Sequence, residues 1–283
     1  MKKVAIATCD ALPEGLPVDA GLLDALREAG ADADWQRFDV VVVRAPYDYS
    51  ARRTEFLAWS DSLDGRLRNS PAILRWNTDK RYLSDLAGDG LPVVPTTFVA
   101  HGGELPALDG EVVVKPTVSA GARDTGRFAP ASHDGARDLV VHITEGGRVA
   151  MVQPFLPAVD ERGETAVVFV DGEVSHVLRK RAVLRPDEVA PVREDGVGAA
   201  EAMYDEDLVR TGEATEAEIA LAERIIARVA ERFGETPLYG RVDMLEDAQG
   251  APILLELEVV EPCLYLAEAP GAAERLAGAI IRG

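Results

Sequence analysis

Positions 4–8, Val-Ala-Ile-Ala-Thr, form a short apolar run that stops at Cys9 and Asp10, as a buried strand feeding a loop does. Over 21–29, Leu22, Leu23 and Leu26 share one side of a helical spiral and Gly30 stands beyond them as a stop, which predicts a helix. Positions 38–44 carry Val40 to Val43 without a polar break, the pattern of a strand covered on both faces. Strand, helix and strand in that order predict the start of a parallel α/β layer. The link 31–36 is so short that an extra strand expected there is stunted or missing.

Further along, 53–67 is helical in pattern and Asn69-Ser70-Pro71 interrupts it. Positions 73–76 read as a short strand, 77–87 as a capped helix, and 93–99 and 111–115 as strands between Gly- and Pro-rich links. The second half predicts strands at 150–155, 165–170 and 173–181, then a long helix at 215–233. A hairpin follows, 238–245 and 252–260, turning at Glu246-Asp247-Ala248-Gln249-Gly250. A helix at 269–281 closes the chain, and no internal repeat or low-complexity tail is evident.

A chain of 283 residues suits two or three packed subdomains. The net charge of −19 argues against nucleic acid and anionic membrane as partners, since both need clustered Lys and Arg. It also means that any nucleotide must meet a local cationic pocket. Cys9 and Cys263, far apart, make neither a disulfide framework nor zinc-ligand spacing, so a reducing cytoplasm is expected. The opening segment is too short in its apolar part for a signal peptide, and no run reaches the length of a membrane helix.

The most informative stretch is Y-G-R-V-D-M-L-E-D-A-Q-G-A-P-I-L-L-E-L-E-V-V-E-P. Strand alternation puts Arg241 and Asp243 on one face and Val242 and Met244 on the other; Glu256 and Glu258 share a face opposed by Leu255, Leu257 and Val259. The turn brings Asp243 opposite about Glu256. Two carboxylates about 4 Å apart repel by roughly 4 kcal/mol at an effective dielectric near 20. Such a trio calls for cations, and hard oxygen ligands favour magnesium beside phosphates; the plainer alternative is a hairpin with its acidic face in solvent. Two lysines could supply a cationic half. Lys80 opens a helix in W-N-T-D-K-R-Y-L, and Lys115 ends V-V-V-K-P before the small residues Ser119, Ala120, Gly121 and Ala122, whose backbone N–H groups can approach an anion. The spacing is not that of a P-loop, and a surface lysine before an ordinary turn is the competing reading.

In this order the elements resemble the ATP-grasp superfamily over about residues 70–265. The resemblance implies an α/β (α+β) fold, with an N-terminal Rossmann-like domain (1–76) and two α+β subdomains (77–150 and 151–283) enclosing the nucleotide. It implies that Lys80 and Lys115 bind phosphates under a lid at 119–125, and that Gln153-Pro154-Phe155-Leu156-Pro157 is the hinge holding adenine, with Phe155 or Leu156 packed on it. Glu164 matches the ribose-binding acid. Arg241 matches the arginine on the γ-phosphate and reacting carbonyl, and Asp243 and Glu256 match the metal ligands. Glu258 stands where the family usually has Asn. Within the superfamily, K-P-T-V-S-A-G-A-R-D-T and E-L-E-V-V-E-P-C-L-Y-L look most like the branch of the cyclo-ligase that closes cycloserine from O-ureido-serine, with bacterial glutathione synthetase more distant. R-A-P-Y-D-Y also resembles a segment near that branch's substrate end, whereas 31–36 and the V-R-E-D-G-V-G loop at 192–198 depart from the common pattern.

The resemblance implies a ligase that uses ATP with one or two magnesium ions, or manganese, to turn a small amino-acid-like carboxylate into an acyl phosphate, captured by a nitrogen nucleophile. Positioning and charge neutralisation suffice for phosphoryl transfer. Arg44, Tyr47, Asp48, Arg123 and Arg181 are candidate substrate contacts. Cys263 reads as a buried inert thiol, the scattered His101, His133, His142 and His176 suggest neither triad nor zinc site, and 205–207 reads as a solvated turn. An intermolecular amino-acid ligase and a non-catalytic nucleotide-binding module are the alternatives, and the oligomeric state, a homo-oligomer included, is open.

Overall fold

The computed structural model describes residues 2–9, 21–29, 38–63, 65–184 and 208–283. The predicted features at 31–36, 192–198 and 205–207 lie outside the described residues.

The apolar runs near the N-terminus become a parallel sheet in the order β1 (Val4–Thr8), β2 (Val40–Ala45), β3 (Leu67–Arg68). Helix α1 (Leu22–Glu28) joins the first two strands, and every residue of β2 is buried, as its unbroken valines require. Two expectations are corrected here. The helix predicted at 53–67 stops early as α2 (Arg53–Asp61), leaving Leu67 free to enter the sheet as the third strand. The strand predicted at 73–76 is instead helical, within α3 (Pro71–Asn77): Ser70 accepts a hydrogen bond from the Ile73 N–H, and Pro71 stands at the first turn. A short apolar run cannot by itself distinguish strand from helix, and the Ser-Pro start decides it.

A tight turn leads to α4 (Tyr82–Gly88), so the helix predicted at 77–87 begins five residues later. The predicted 93–99 strand shortens to β4 (Thr97–Val99). Next come β5 (Val112–Pro116), β6 (Gly126–Phe128), α5 (His133–Glu145) and β7 (Ala150–Pro154). The four strands form an antiparallel sheet in the order β4-β7-β5-β6, with α5 packed on one face through Leu139, Val140 and Ile143. Neither β6 nor α5 is among the elements read from the sequence.

The third sheet contains α6 (Ala158–Arg162) on its approach, then β8 (Glu164–Val170), β9 (Glu173–Lys180), β10 (Val209–Thr211), α7 (Glu216–Phe233), β11 (Tyr239–Glu246), β12 (Pro252–Glu258) and finally α8 (Ala272–Arg282). It is antiparallel, in the order β10-β9-β8-β11-β12. Helix α7 starts with a capping box, Thr215 and Glu218 each bonding the other's backbone N–H, and ends at Gly234 with φ of 70°. One face of the sheet, with Val167, Phe169, Val242 and Met244, packs on α7 and α4. The other, with Ala166, Val168, Val170 and Leu178, joins α8 and the N-terminal sheet in a shared core.

Strand β12 is the edge of this sheet, yet side chains close its outer side. The Tyr82 hydroxyl accepts from the Leu257 N–H and donates to the Leu257 carbonyl, both at 2.8 Å. Asn77 donates to that carbonyl at 2.8 Å and accepts from the Val259 N–H at 3.0 Å. The main chain of 92–94 pairs with Leu254. Asn69, 1% exposed, donates to the carbonyls of Tyr239 and Val259 and accepts from the Leu238 N–H. Tyr82→Phe keeps the ring but strands the Leu257 N–H, so it is expected to cost about 1–3 kcal/mol of stability in urea unfolding; an unchanged midpoint would show that the edge needs no such partner.

Candidate active site

The β11–β12 register pairs Asp243 with Glu256 and Arg241 with Glu258, as the alternation and turn anticipate. A bulge between Asp243 and Met244 changes the far end. Met244 faces Leu254 rather than Leu255, so Leu254 enters the core at 0% exposure and the core position expected for Leu255 is corrected. An extra residue in one strand lets the acids keep one face while the apolar positions shift by one.

The cations come from four places. Lys80, in the turn between α3 and α4, has its Nζ 3.1 Å from Glu256 Oε1 and bonds the Ser119 carbonyl at 3.1 Å. Lys115, on β5, lies 3.9 Å from Glu256 Oε2. Arg241 spans both Asp243 oxygens at 2.8 Å and reaches Glu258 Oε1 at 2.6 Å and the Cys263 carbonyl at 2.8 Å. Lys180, on β9, joins Glu164 at 2.8 Å to Asp243 at 2.9 Å. Gly163, at φ of 74°, lets the start of β8 pass close to the β9 main chain, because a Cβ there would overlap the Lys180 carbonyl.

Lys180 is the main functional candidate that sequence reasoning missed. Asp171-Gly172 between β8 and β9 is a strong hairpin signal, but simple counting back from it sets Glu164 against Arg179. A second bulge, between Val168 and Phe169, moves the pairing by one and selects Lys180.

These charges act on one another at close range. Burial opposes ionisation of Asp243, yet Arg241 and Lys180 hold its carboxyl well below the usual range. Glu256 is likewise drawn down against burial by Lys80 and Lys115. Burial would lower Lys80, but Glu256 keeps it above its ordinary value, whereas Lys115 falls below its own through burial with Lys80 and Lys180 nearby. Glu258 is pushed up by burial, Asp243 and Glu256 despite Arg241. Glu261, also absent from the sequence-based candidates, rises to about 8 through burial and the charge of Glu258.

The segment after β5 is closed over the N-terminal part. Val118 and Ala120 pack on a core containing Tyr49, Phe56 and Leu57. Ser119 is buried, while Ala120 and Gly121 are partly exposed. Gly121, Ala122 and Asp124 all have positive φ, at 65°, 57° and 50°, which for Ala and Asp is strain of the kind found at ligand loops. Asp124 is anchored to Arg148. Arg123 donates to the carbonyls of Ala120 and Tyr47 and to the Ser50 hydroxyl, fastening this segment to the N-terminal turn at 47–50.

Of the other named residues, Arg44 and Tyr47 meet the 261–263 segment that also holds Arg241, and the rest lie further away. Arg44, 2% exposed, donates to the Pro262 carbonyl at 2.7 Å and stacks on Tyr239. Tyr47 reaches the Glu261 carbonyl and the Cys263 sulfur, both at 3.3 Å. Cys263 is partly exposed rather than buried, and neither Cys9 nor Cys263 is in a disulfide. Asp48 pairs with Arg52 at 3.5 Å, and Arg181 is exposed with its backbone N–H on Leu208. Gln153, 2% exposed, bonds Thr96, Pro154 is exposed, and Phe155 and Leu156 are partly buried. Among the described residues no group of three or more His, Cys, Asp or Glu side chains stands ready as a metal cage; Arg241 bridges Asp243 and Glu258, and Lys180 bridges Glu164 and Asp243. No helix of the described residues is long and apolar enough to cross a membrane.

The raised Glu261 gives a pH signature. Between pH 4.5 and about 8 the unfolded chain ionises at this position while the folded chain keeps its proton, so stability falls as pH climbs through that window and levels above it. Tyr49, Lys80, Glu256 and Glu258 face the group. Glu261→Gln, in metal-free buffer, is expected to melt several degrees above the parent at pH 8 and to match it at pH 4; equal curves at both would place the carboxyl in water.

A family model described as the N-terminal domain of D-cycloserine synthetase DcsG matches residues 4–69. The chain is 34% identical over 292 residues to cycloserine biosynthesis protein DcsG of Streptomyces lavendulae, spanning 94% of each. Glutathione synthetase of Bordetella pertussis is 27% identical over 189 residues, 64% of this chain and 58% of that protein. The crystal structure of D-cycloserine synthetase DcsG superposes with a TM-score of 0.85 and 33% identity, covering 99% of both chains. A D-alanine–D-alanine ligase from Bacillus anthracis matches at TM-score 0.71 and 13% identity over 100% of this chain and 97% of that one, a likeness of fold alone. The resemblance carried by the lysine, hinge and hairpin motifs is thus borne out: the chain belongs to the D-cycloserine synthetase family, and is a carboxylate–amine ligase of the ATP-grasp fold.

Proposed function

We propose that this protein uses ATP and magnesium to activate the carboxylate of an amino-acid-like substrate and closes it onto a nitrogen of the same molecule, as an O-ureido-serine cyclo-ligase does. The observation that carries the reading is the Asp243–Glu256 pair on one sheet face, met by Lys80 and Lys115 from two other parts of the chain. It answers the objection raised by a net charge of −19: the cations are concentrated where a polyphosphate would lie.

The donor set fits a hard divalent ion. Asp243, Glu256 and Glu258 offer only oxygen, and they crowd one face of the β11–β12 pair. These three would hold the ion, magnesium by preference and manganese as a substitute, one or two in number. When bound, the ion offsets charge on the β- and γ-phosphates. Lys80 and Lys115 hold the α- and β-phosphates, the 153–156 hinge holds adenine, and Glu164 holds ribose. The substrate carboxylate attacks the γ-phosphorus, giving an acyl phosphate and ADP. The nitrogen then attacks the acyl carbon; a C–N bond forms, the C–O bond to phosphate breaks, and the nitrogen gives up a proton. Arg241 steadies charge on the carboxyl oxygens, and the 119–125 lid excludes water.

In this reading Arg44, Tyr47 and Arg123 shape the substrate end, with the first and last acting through the main chain they hold; Asp48 and Arg181 form its outer rim. The three sheets fit a reading in three units, expected at 1–76, 77–150 and 151–283, but β7 (Ala150–Pro154) belongs to the middle sheet, so the second boundary moves beyond Pro154. Two cysteines outside any disulfide fit a reducing cytoplasm.

An ADP-release screen against D- and L-amino acids and their O-ureido and aminooxy derivatives, with and without magnesium, tests the reading. Metal-dependent ADP release with a cyclic product is expected; a product joined from two substrates would make it an intermolecular ligase, and no release with any carboxylate would leave a nucleotide-binding module. Arg241→Lys keeps the charge but loses the fork on Asp243. Turnover is expected to fall about 100-fold with ADP affinity nearly unchanged, whereas equal loss of both would assign Arg241 to structure.

A further inference from the structure

Arg127 lies on β6, the strand that leaves the lid, and Val113 pairs with both Arg127 and Gln153. The three positions share the sheet face that also carries Lys115. Arg127's side chain is only 5% exposed, and its guanidinium carbon stands 3.5 Å from the centre of the Phe155 ring, a full stacking contact. In the guanidinium plane its N–H groups are taken by two carboxylates: Glu111 at 2.7 and 3.2 Å and Asp160 at 2.9 and 2.7 Å. The Leu184 carbonyl accepts a longer bond at 3.4 Å. Glu111 also receives the Phe155 backbone N–H on its carbonyl at 2.8 Å. With its edges saturated, the guanidinium is free to offer only its flat faces.

One face of the Phe155 ring is therefore covered, and the plane of the ring is set by a group whose own orientation is fixed from two sides. We propose that Arg127 is a positioning residue for the nucleotide base, acting through Phe155 to fix the wall that the purine meets and tying the lid strand to the hinge. The inference rests on the reading that 153–156 holds the base.

Calorimetry of ADP and of inorganic tripolyphosphate, both with magnesium, separates the outcomes. Arg127→Met keeps bulk but loses the planar cation. It is expected to weaken ADP binding about ten-fold, the size of a desolvated cation–π contact, to raise the KM for ATP by a similar factor with kcat within about two-fold, and to leave tripolyphosphate affinity unchanged. Phe155→Leu should match it, and the double variant should be no worse than the weaker single. Asp160→Asn, at a half-exposed carboxylate, loosens the guanidinium without removing it and gives a smaller loss of ADP affinity, about three-fold, should Arg127→Met fail to fold. Unchanged ADP affinity in these variants, or equal loss of ADP and tripolyphosphate, overturns the proposal. Absence of ADP binding in the parent protein overturns the hinge reading as well.

Discussion

A carboxylate held out of water needs a cation beside it, and the centre of this molecule is organised by that requirement. Asp243 is almost sealed and is shared between Arg241 on its own strand and Lys180 two strands away. Glu256 depends on Lys80 and Lys115, which belong to different segments. No single stretch of chain contains both signs in balance, so the site exists only when the β5 sheet, the α3–α4 turn and the β11–β12 hairpin come together. Removing one partner would leave a buried charge uncompensated, which is far more costly than exchanging the pair.

The same requirement explains the unusual edge of the large sheet. An outer strand normally leaves backbone groups for water or for another chain. Here Asn77 and Tyr82 fill that role for β12, and they flank Lys80 in sequence. The side chains that satisfy the strand and the lysine that neutralises it therefore arrive on one rigid piece. Arg123 performs a similar service on the opposite side, holding the small-residue loop against the 47–50 turn. Strain at Ala122 and Asp124 is then borne by a loop fastened at both ends, through Lys80 and Ser119 as well as through Asp124 and Arg148.

Strand periodicity made the acidic hairpin legible, because alternation puts Arg241 with Asp243 and Glu256 with Glu258 on single faces and the turn brings the two strands together; the exact Asp243–Glu256 pairing needs a bulge as well, since counting from Glu246 opposite Pro252 sets Asp243 against Leu255. Bulges were not legible. On β12 the extra residue is Leu255 itself, left without a partner between those of Asp243 and Met244, and on β9 Ser175 exchanged Arg179 for Lys180 as the partner of Glu164. Both depend on packing across the sheet rather than on local sequence. The short elements were ambiguous for a different reason: Ile73 and Leu74 are as apolar as a strand, and only the Ser70-Pro71 start marks the helix. Arg44 and Arg123 had the composition of ligand-binding residues, but buried arginines also serve as struts between carbonyls, and the structure uses them so. Arg127 carried no signal at all, since its partners Glu111, Phe155 and Asp160 are scattered along the chain, before β5, after β7 and in α6.

The most direct measurement is a crystal structure of the protein with magnesium and a non-hydrolysable ATP analogue. The account predicts the triphosphate between Lys80, Lys115 and the Asp243–Glu256 face, with density for an ion bonded to those carboxylates and Lys180 no longer bridging Glu164 to Asp243. Nucleotide bound elsewhere, or phosphates in place with the Lys180–Asp243 and Lys80–Glu256 pairs undisturbed and no ion among the acids, would contradict it.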